Sequence, residues 1–293
     1  MTIQISLDQK AVMVPLFDPT EYKINSKANW NVVAPDYHYN WANKHEGPFK
    51  STAKVVNLAE INSSDKVLDL ACGTGAVSAE VFRHLGKTGL LVGIDMSRTA
   101  LTIAKKTIHG PNVDFFEMDA ENLGFNFTFD KILCQYGLMF FPNTARVLKT
   151  VRKILKHDGK IVFAVHGLAE EVPYFSSIMS SILRHIPDIR PKDTPTVHRF
   201  GNGDDLKKEL ESTGFSDVSI TRHVFSYEAG TFDEYWHDYM HSTANSIRPK
   251  IESMGDNITD KIKNDSRKNA ERYIKDGKII FPWTVLTASA YNT

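Results

Sequence analysis

Val67-Leu68-Asp69-Leu70-Ala71-Cys72-Gly73-Thr74-Gly75-Ala76-Val77-Ser78 reads as an apolar strand that runs into a tight glycine turn and then into a helix. Neither glycine carries a side chain and both tolerate positive φ, so the chain is free to pass very close to a ligand there. A turn of this kind at the carboxyl end of the first strand is where open α/β sheets bind nucleotides.

What is missing narrows the nucleotide. The dinucleotide fingerprint places a third glycine three residues after the second, and that place holds Ser78. A phosphate-cradling loop needs Gly-Lys-Ser/Thr, and no lysine follows these glycines. Asp69 instead sits inside the strand, four positions before Gly73. A carboxylate beside the loop repels pyrophosphate and suits a cationic ligand, such as an amino group or a sulfonium.

Composition excludes other classes. The 293 residues are 42% hydrophobic, enough for one large domain or two small ones. Thirty-five basic residues balance thirty-five acidic ones, whereas a nucleic-acid binder shows a basic excess or stripe. Lys261 to Lys278 is locally basic, but its charges alternate with apolar residues, as on a solvated helix face. No nucleic-acid partner is therefore expected. Cys72 and Cys134 lie in or beside apolar strand patterns with no metal or disulfide spacing, and both read as buried reduced thiols. No leader pattern opens the chain, and no run approaches the ~18 apolar residues of a membrane span. A cytoplasmic protein is expected, without a membrane span, as monomer or homodimer.

Strand and helix patterns alternate after the glycine loop. Thr74 to Leu85 reads as a helix stopped by Gly86, Leu90 to Asp95 as a buried strand, and Ser97 as the cap of a helix reaching about His109. Asn112 to Met118 and Lys131 to Tyr136 are the third and fourth strands. Pro142 suits the first turn of the next helix, and Asp158-Gly159 turns the chain into a fifth strand, Lys160 to Val165. Such alternation predicts a parallel sheet with helices on both faces. Further on, Asp204 or Asp205 caps a helix over Leu206 to Ser212, which Gly214 ends. Val218 to Tyr227 and Lys278 to Ala290 read as two late strands. Helical patterns over Val172 to Ile186, Asp233 to Ile251 and Asp256 to Lys275 lie outside the alternating core.

Polar residues recur at the strand ends. Asp95, followed by Met96, stands 20 residues after Gly75. An acid at that distance is expected to accept hydrogen bonds from a ribose diol, two oxygens meeting two hydroxyls. Asp119-Ala120 ends the third strand, and Cys134-Gln135-Tyr136-Gly137-Leu138-Met139-Phe140-Phe141-Pro142 ends the fourth. Upstream, Trp30, Ala34, Tyr37, His38, Tyr39 and Trp41 form an aromatic cluster, and aromatic faces attract cations such as a sulfonium.

The pattern Asp-x-Ala-Cys-Gly-Thr-Gly at Asp69 to Gly75, with Asp95, Asp119-Ala120 and Gln135, resembles the class I S-adenosylmethionine (SAM) dependent methyltransferases. The resemblance runs from roughly Ala28 to Phe215 and is to the subgroup of ubiquinone/menaquinone biosynthesis and natural-product small-molecule methyltransferases. It implies an α/β, Rossmann-like seven-stranded sheet, mostly parallel with an antiparallel last strand. Helical lid insertions are added to it. On that reading residues 1–60 are an N-terminal helical cover and 61–167 the SAM-binding core. Residues 168–200 and 231–276 are then helical substrate-cap insertions, all in one domain. The resemblance also implies SAM as cofactor, released as S-adenosylhomocysteine. Its contacts would be Tyr37, Asp69, Ala71, Gly73, Gly75, Asp95, Met96, Asp119, Ala120 and Gln135. Asp119 would accept from the adenine amine, the Ala120 N–H would face the ring, and Gln135 would sit beside the methionine part. Ala71 departs from the pattern, since many relatives have glycine there.

Neither the Asn/Asp-Pro-Pro-aromatic signature of nucleic-acid amino-methyltransferases nor a Pro-Cys nucleophile follows the fourth strand. With the neutral charge, this points to a small, partly apolar acceptor methylated on O, N or C. Phe140, Phe175, Trp236 and Tyr239 are expected to line its pocket. His166, after the fifth strand, is the candidate catalytic base. His237 and His241 are spaced as metal ligands on a helix, but no third ligand is evident and no metal is expected. A chain that binds SAM without catalysis, as a regulatory or assembly module, is the alternative, because fold does not guarantee activity.

Overall fold

The computed structural model describes residues 16–293; the opening part of the expected N-terminal cover, residues 1–15, lies outside the described residues. The chain begins with α1 (Pro19–Tyr37), a π-helical turn (His38–Ala42), a 3-10 turn (Gly47–Ser51) and α2 (Thr52–Ala59). The alternating section follows as β1 (Lys66–Leu70), α3 (Ala76–Phe82), β2 (Leu90–Asp95), α4 (Arg98–Thr107), β3 (Val113–Glu117) and β4 (Phe129–Gln135). A 3-10 turn (Leu138–Phe140), α5 (Thr144–Ile154) and β5 (Leu155–His166) complete it. The later part comprises α6 (Pro173–His185), α7 (Gly203–Ser212), β6 (Ser216–Gly230), α8 (Phe232–His241), α9 (Arg248–Ser253), α10 (Asp256–Glu271), β7 (Ile274–Lys275) and β8 (Lys278–Tyr291).

The strands form one sheet in the order β3-β2-β1-β4-β5-β8-β6, with the two-residue β7 folded back on β8. Neighbouring pairs among β1 to β5 are parallel, and β8 runs antiparallel between β5 and β6. This is the mostly parallel sheet with an antiparallel last strand. Strands covered on both faces need near-continuous apolar runs. Accordingly Val67, Leu68 and Leu70 of β1, Ile132 to Cys134 of β4 and Ile161 to Val165 of β5 are all buried. The edge strand β6 alternates instead, because successive side chains face opposite sides. Strand order reverses between β1 and β4, and a crevice opens there at the carboxyl ends.

Several elements differ in detail from expectation. The long helix over Asp233 to Ile251 is broken into α8 and α9. Pro249 lies in the first turn of α9, where its fixed φ starts a helix but its missing N–H cannot continue one. The cap of α7 is Asn202, which accepts from the Asp204 N–H, so Asp204 and Asp205 occupy the first turn instead. Pro142 stands just before the Asn143 cap of α5 rather than inside the helix. Asp158, at φ +59, kinks β5 and does not end it. Ser97 caps α4 as read, accepting from the Ala100 N–H.

An aromatic knot joins the late helices to the sheet. Trp41, Tyr174 and Trp283 meet with ring centroids 5.1 to 5.4 Å apart, and Tyr235 donates to the Tyr174 carbonyl at 2.5 Å. Such pairs are worth roughly 0.5–1.5 kcal/mol each beyond burial. No helix among the described residues is long and apolar enough to cross a membrane.

The start of α3 is fixed by a close approach. Gly75 has φ +91, and a Cβ there would stand 2.6 Å from Ile108 Cδ1 and 3.2 Å from Ala104 Cβ. Gly75→Ala should therefore destabilise the fold by about 1–3 kcal/mol, read as a lowered urea midpoint with an unchanged slope.

Candidate active site

The loop between β1 and α3 bends through three left-handed residues, Ala71 (φ +57), Gly73 (φ +53) and Gly75 (φ +91). The two glycines do different work. A Cβ on Gly73 would meet nothing within 4 Å, because that position faces the open crevice. Gly75 packs against α4 and is not among the residues lining the crevice. Gly75 thus packs the loop against α4, between Thr74 and Ala76, which do line the crevice. Ala71 holds a conformation that costs an L-residue roughly 1–2 kcal/mol, which is why glycine would be the easier choice there.

Asp95 joins this loop to the next one. Its Oδ2 accepts from the Gly73 N–H at 2.9 Å, and its Oδ1 accepts from the Ser97 N–H at 2.8 Å. Asp69 Oδ2 accepts from Ser78 Oγ at 2.6 Å, so the residue that replaces the third glycine anchors the strand carboxylate.

A cleft enclosing about 1170 Å³, its open mouth included, lies over these loops. Tyr37, Asp69, Ala71, Gly73, Asp95, Met96, Asp119, Ala120, Gln135 and Phe140 all line it. Four carboxyl groups face it, from Asp69, Asp95, Asp119 and Glu121, against one cation, Lys23, among the described lining residues. Burial pushes Asp69 up to about 7, against the pull of its Ser78 hydrogen bond. Asp95 is also raised by burial, opposed by the Ser97 and Gly73 N–H groups. Burial works to raise Asp119 too, but hydrogen bonds from the Glu121 N–H and Lys23 outweigh it and hold this carboxyl low. Such an acid-lined, partly desolvated cleft favours a cation. The Gln135 amide is engaged with the segment leading into α2, accepting from Thr52 Oγ1 at 3.1 Å and donating to Ser51 Oγ at 2.8 Å.

Four expected residues lie elsewhere. His166 is buried outside the cleft lining. Its ring stacks on Tyr136 with centroids 4.4 Å apart, and Nδ1 accepts from Trp283 Nε1 at 3.1 Å. Burial drives its pKa well below the ordinary histidine value, so it stays neutral among Tyr136, Phe175 and Trp283. Phe175 packs on His166 and Trp283. Tyr239 donates to the Phe175 carbonyl at 3.4 Å, and Trp236 stacks against Phe232. Phe175 packs on the sheet, Tyr239 on α6 and Trp236 on its own helix, so only Phe140 of the expected acceptor residues reaches the cleft; Phe141 and Trp30 line it beside Phe140. His241 has both ring nitrogens engaged, Nδ1 at 2.8 Å from the His237 carbonyl and Nε2 at 2.9 Å from Arg248.

Tyr22, Lys23 and Ser26 of α1 also line the cleft and were missed. Their signal was the helical spacing 22, 26, 30, 34 and 37, blurred by the polar residues in it.

Sheet order, glycine loop and acid-lined crevice together define a Rossmann-like class I methyltransferase. The chain belongs to the methyltransferase domain family, which matches residues 61–214. A demethylmenaquinone methyltransferase of Lactobacillus johnsonii is 27% identical over 187 residues, covering 58% of this chain and 75% of that protein. The aklanonic acid methyltransferase DauC of a Streptomyces species is 30% identical over 178 residues, covering 56% of this chain and 80% of that protein. The fold is also shared with phosphoethanolamine N-methyltransferase 2 of Haemonchus contortus, solved with phosphomonomethylethanolamine and S-adenosylhomocysteine. That likeness has a TM-score of 0.57 at 13% identity, over 94% of this chain and 60% of that one.

The raised Asp69 value has a consequence for stability. Between the ordinary carboxylate range and about 7, the folded chain holds a proton that the unfolded chain has lost. Stability is then greatest at the acid end and falls as pH rises towards that value. Asp69→Asn cannot ionise. It should match the wild type within about 1 kcal/mol at pH ~5 and exceed it by about 2–4 kcal/mol at pH ~8, as urea melts at the two pH values would report.

Proposed function

We propose that this chain uses SAM to methylate O, N or C of a small, partly apolar molecule. The observation that carries the reading is the pairing of carboxylates with an unobstructed glycine: Asp69 and Asp95 face a cleft into which a Cβ on Gly73 would project freely. Phosphate-gripping chemistry is poorly served by such a surface, whereas a sulfonium and an ammonium are well served.

In this reading Asp95 receives the ribose hydroxyls and Asp119 the adenine amine, with Met96 and Ala120 beside them. Asp69, Ala71 and Gly73 border the methionine part, next to Gln135 and Tyr37. SAM supplies a methyl carbon made electrophilic by its sulfonium. The residues around it supply position: Trp30, Phe140 and Phe141 give an apolar wall for the acceptor, and α1 excludes water. Holding the reacting centres in line supplies much of the rate in such a displacement. The two relatives are named for demethylmenaquinone and aklanonic acid, both small molecules, which supports a small-molecule acceptor here. None of the described residues lining the cleft comes from α6, α8, α9 or α10, so the cover over the acceptor is assigned to α1 and not to those helices.

Calorimetric titration tests the cofactor assignment. Wild type should bind SAM and S-adenosylhomocysteine. Asp95→Ala should weaken both by about 1–3 kcal/mol, and Gly73→Val should abolish binding while remaining folded. A folded wild type that refuses both at millimolar concentration would contradict the proposal. Turnover of labelled SAM with a metabolite extract then tests catalysis.

A further inference from the structure

Helix α1 carries two adjacent stripes at helical spacing. Tyr22, Ser26, Trp30, Ala34 and Tyr37 form one wall of the cleft. The neighbouring stripe fastens the helix to the carboxyl edge of the sheet. Lys23 Nζ lies 2.9 Å from Asp119 Oδ2 and 2.8 Å from Glu121 Oε2. Lys27 pairs with Glu117, and Asn31 Oδ1 accepts from Ser97 Oγ at 2.9 Å and from the Thr99 N–H at 3.1 Å. The helix is thus a strap along one side of the cofactor site, fastened to the sheet edge at three places.

The strap has a natural pivot. Pro35 stands inside α1, where it removes one backbone hydrogen bond. A π-helical turn follows at His38–Ala42, a wide geometry common at functional sites. Trp41, near the end of that turn, is buried in the aromatic knot and anchors its far side.

We infer that Lys23 is the positioning residue of a latch: its ammonium, shared by Asp119 and Glu121, sets how often α1 lifts to admit and release the nucleoside. Both carboxylates line the cleft, and each is held from its own side. Asp119 Oδ1 accepts from the Glu121 N–H at 3.0 Å, and Glu121 Oε1 accepts from the Asn143 N–H at 3.2 Å. When an adenine amine takes one Asp119 oxygen, Glu121 still holds Lys23, so the strap recloses over the occupied site. The inference rests on the proposed cofactor site for its occupant and on the strap geometry for the latch.

The test compares wild type, Lys23→Met and Lys23→Arg. In stopped-flow measurements of S-adenosylhomocysteine binding followed by tryptophan fluorescence, Lys23→Met should raise association and dissociation rates together, by about tenfold each, with affinity changed less than about threefold. Lys23→Arg should restore near-wild-type rates. Added salt should speed wild type more than Lys23→Met, in which only the Lys27–Glu117 pair is left to be screened. Without ligand, hydrogen exchange of the α1 amides should quicken about tenfold in Lys23→Met, while β2 amides stay unchanged. Unchanged rates and exchange would overturn the latch. So would faster dissociation with no gain in association, which marks a merely structural contact. If wild type does not bind S-adenosylhomocysteine, the cofactor reading fails, and the ligand-free exchange still decides the latch.

Discussion

One carboxylate ties two loops together. Asp95 accepts from the backbone N–H groups of Gly73 and Ser97, so the glycine turn after β1 and the cap of α4 are held in one frame. Hydrogen bonds to a charged group contribute about 1.5–3 kcal/mol each. That is enough to hold a loop in which Ala71, Gly73 and Gly75 all take positive φ. The open face of Gly73 follows from that frame, and so does the row of acids along the ends of β1, β2 and β3.

That row stores an electrostatic debt. Asp69 and Asp95 are both raised by burial, which means that desolvation in the cleft penalises their charged forms. A cation placed between them relieves the penalty, so affinity and protonation are linked through the same groups. Asp119 is the exception, held low with help from Lys23. The cleft therefore divides into a raised pair at the loop end and a balanced pair under the N-terminal strap.

Much of this was legible in the sequence wherever the cause is local. Apolar runs gave the buried strands, Ser97 announced the α4 cap, and the Asp69-to-Gly75 spacing located the crevice. What failed depends on distant partners. His166 ends a strand as expected, but Trp283, 117 positions on, takes its Nδ1. Phe175, Trp236 and Tyr239 have the look of pocket residues, yet Phe175 packs on Trp283 of the sheet, Tyr239 bonds to α6 and Trp236 stacks on Phe232 of its own helix. Lys23 meets Asp119 across 96 positions, which no helical period signals. The break between α8 and α9 was marked by Pro249, and the apolar periodicity on either side concealed it.

The central claim is that buried carboxylates at the strand ends take up a cationic nucleoside. Calorimetry of SAM binding in buffers of different ionisation enthalpy tests it most directly, by counting protons exchanged. With Asp69 near 7 in the free protein, binding should release close to one proton per site at pH ~6, declining towards none by pH ~8.5. Asp69→Asn should release markedly fewer protons than the wild type at pH ~6. Binding with no proton release in the wild type, or with uptake, would contradict the account.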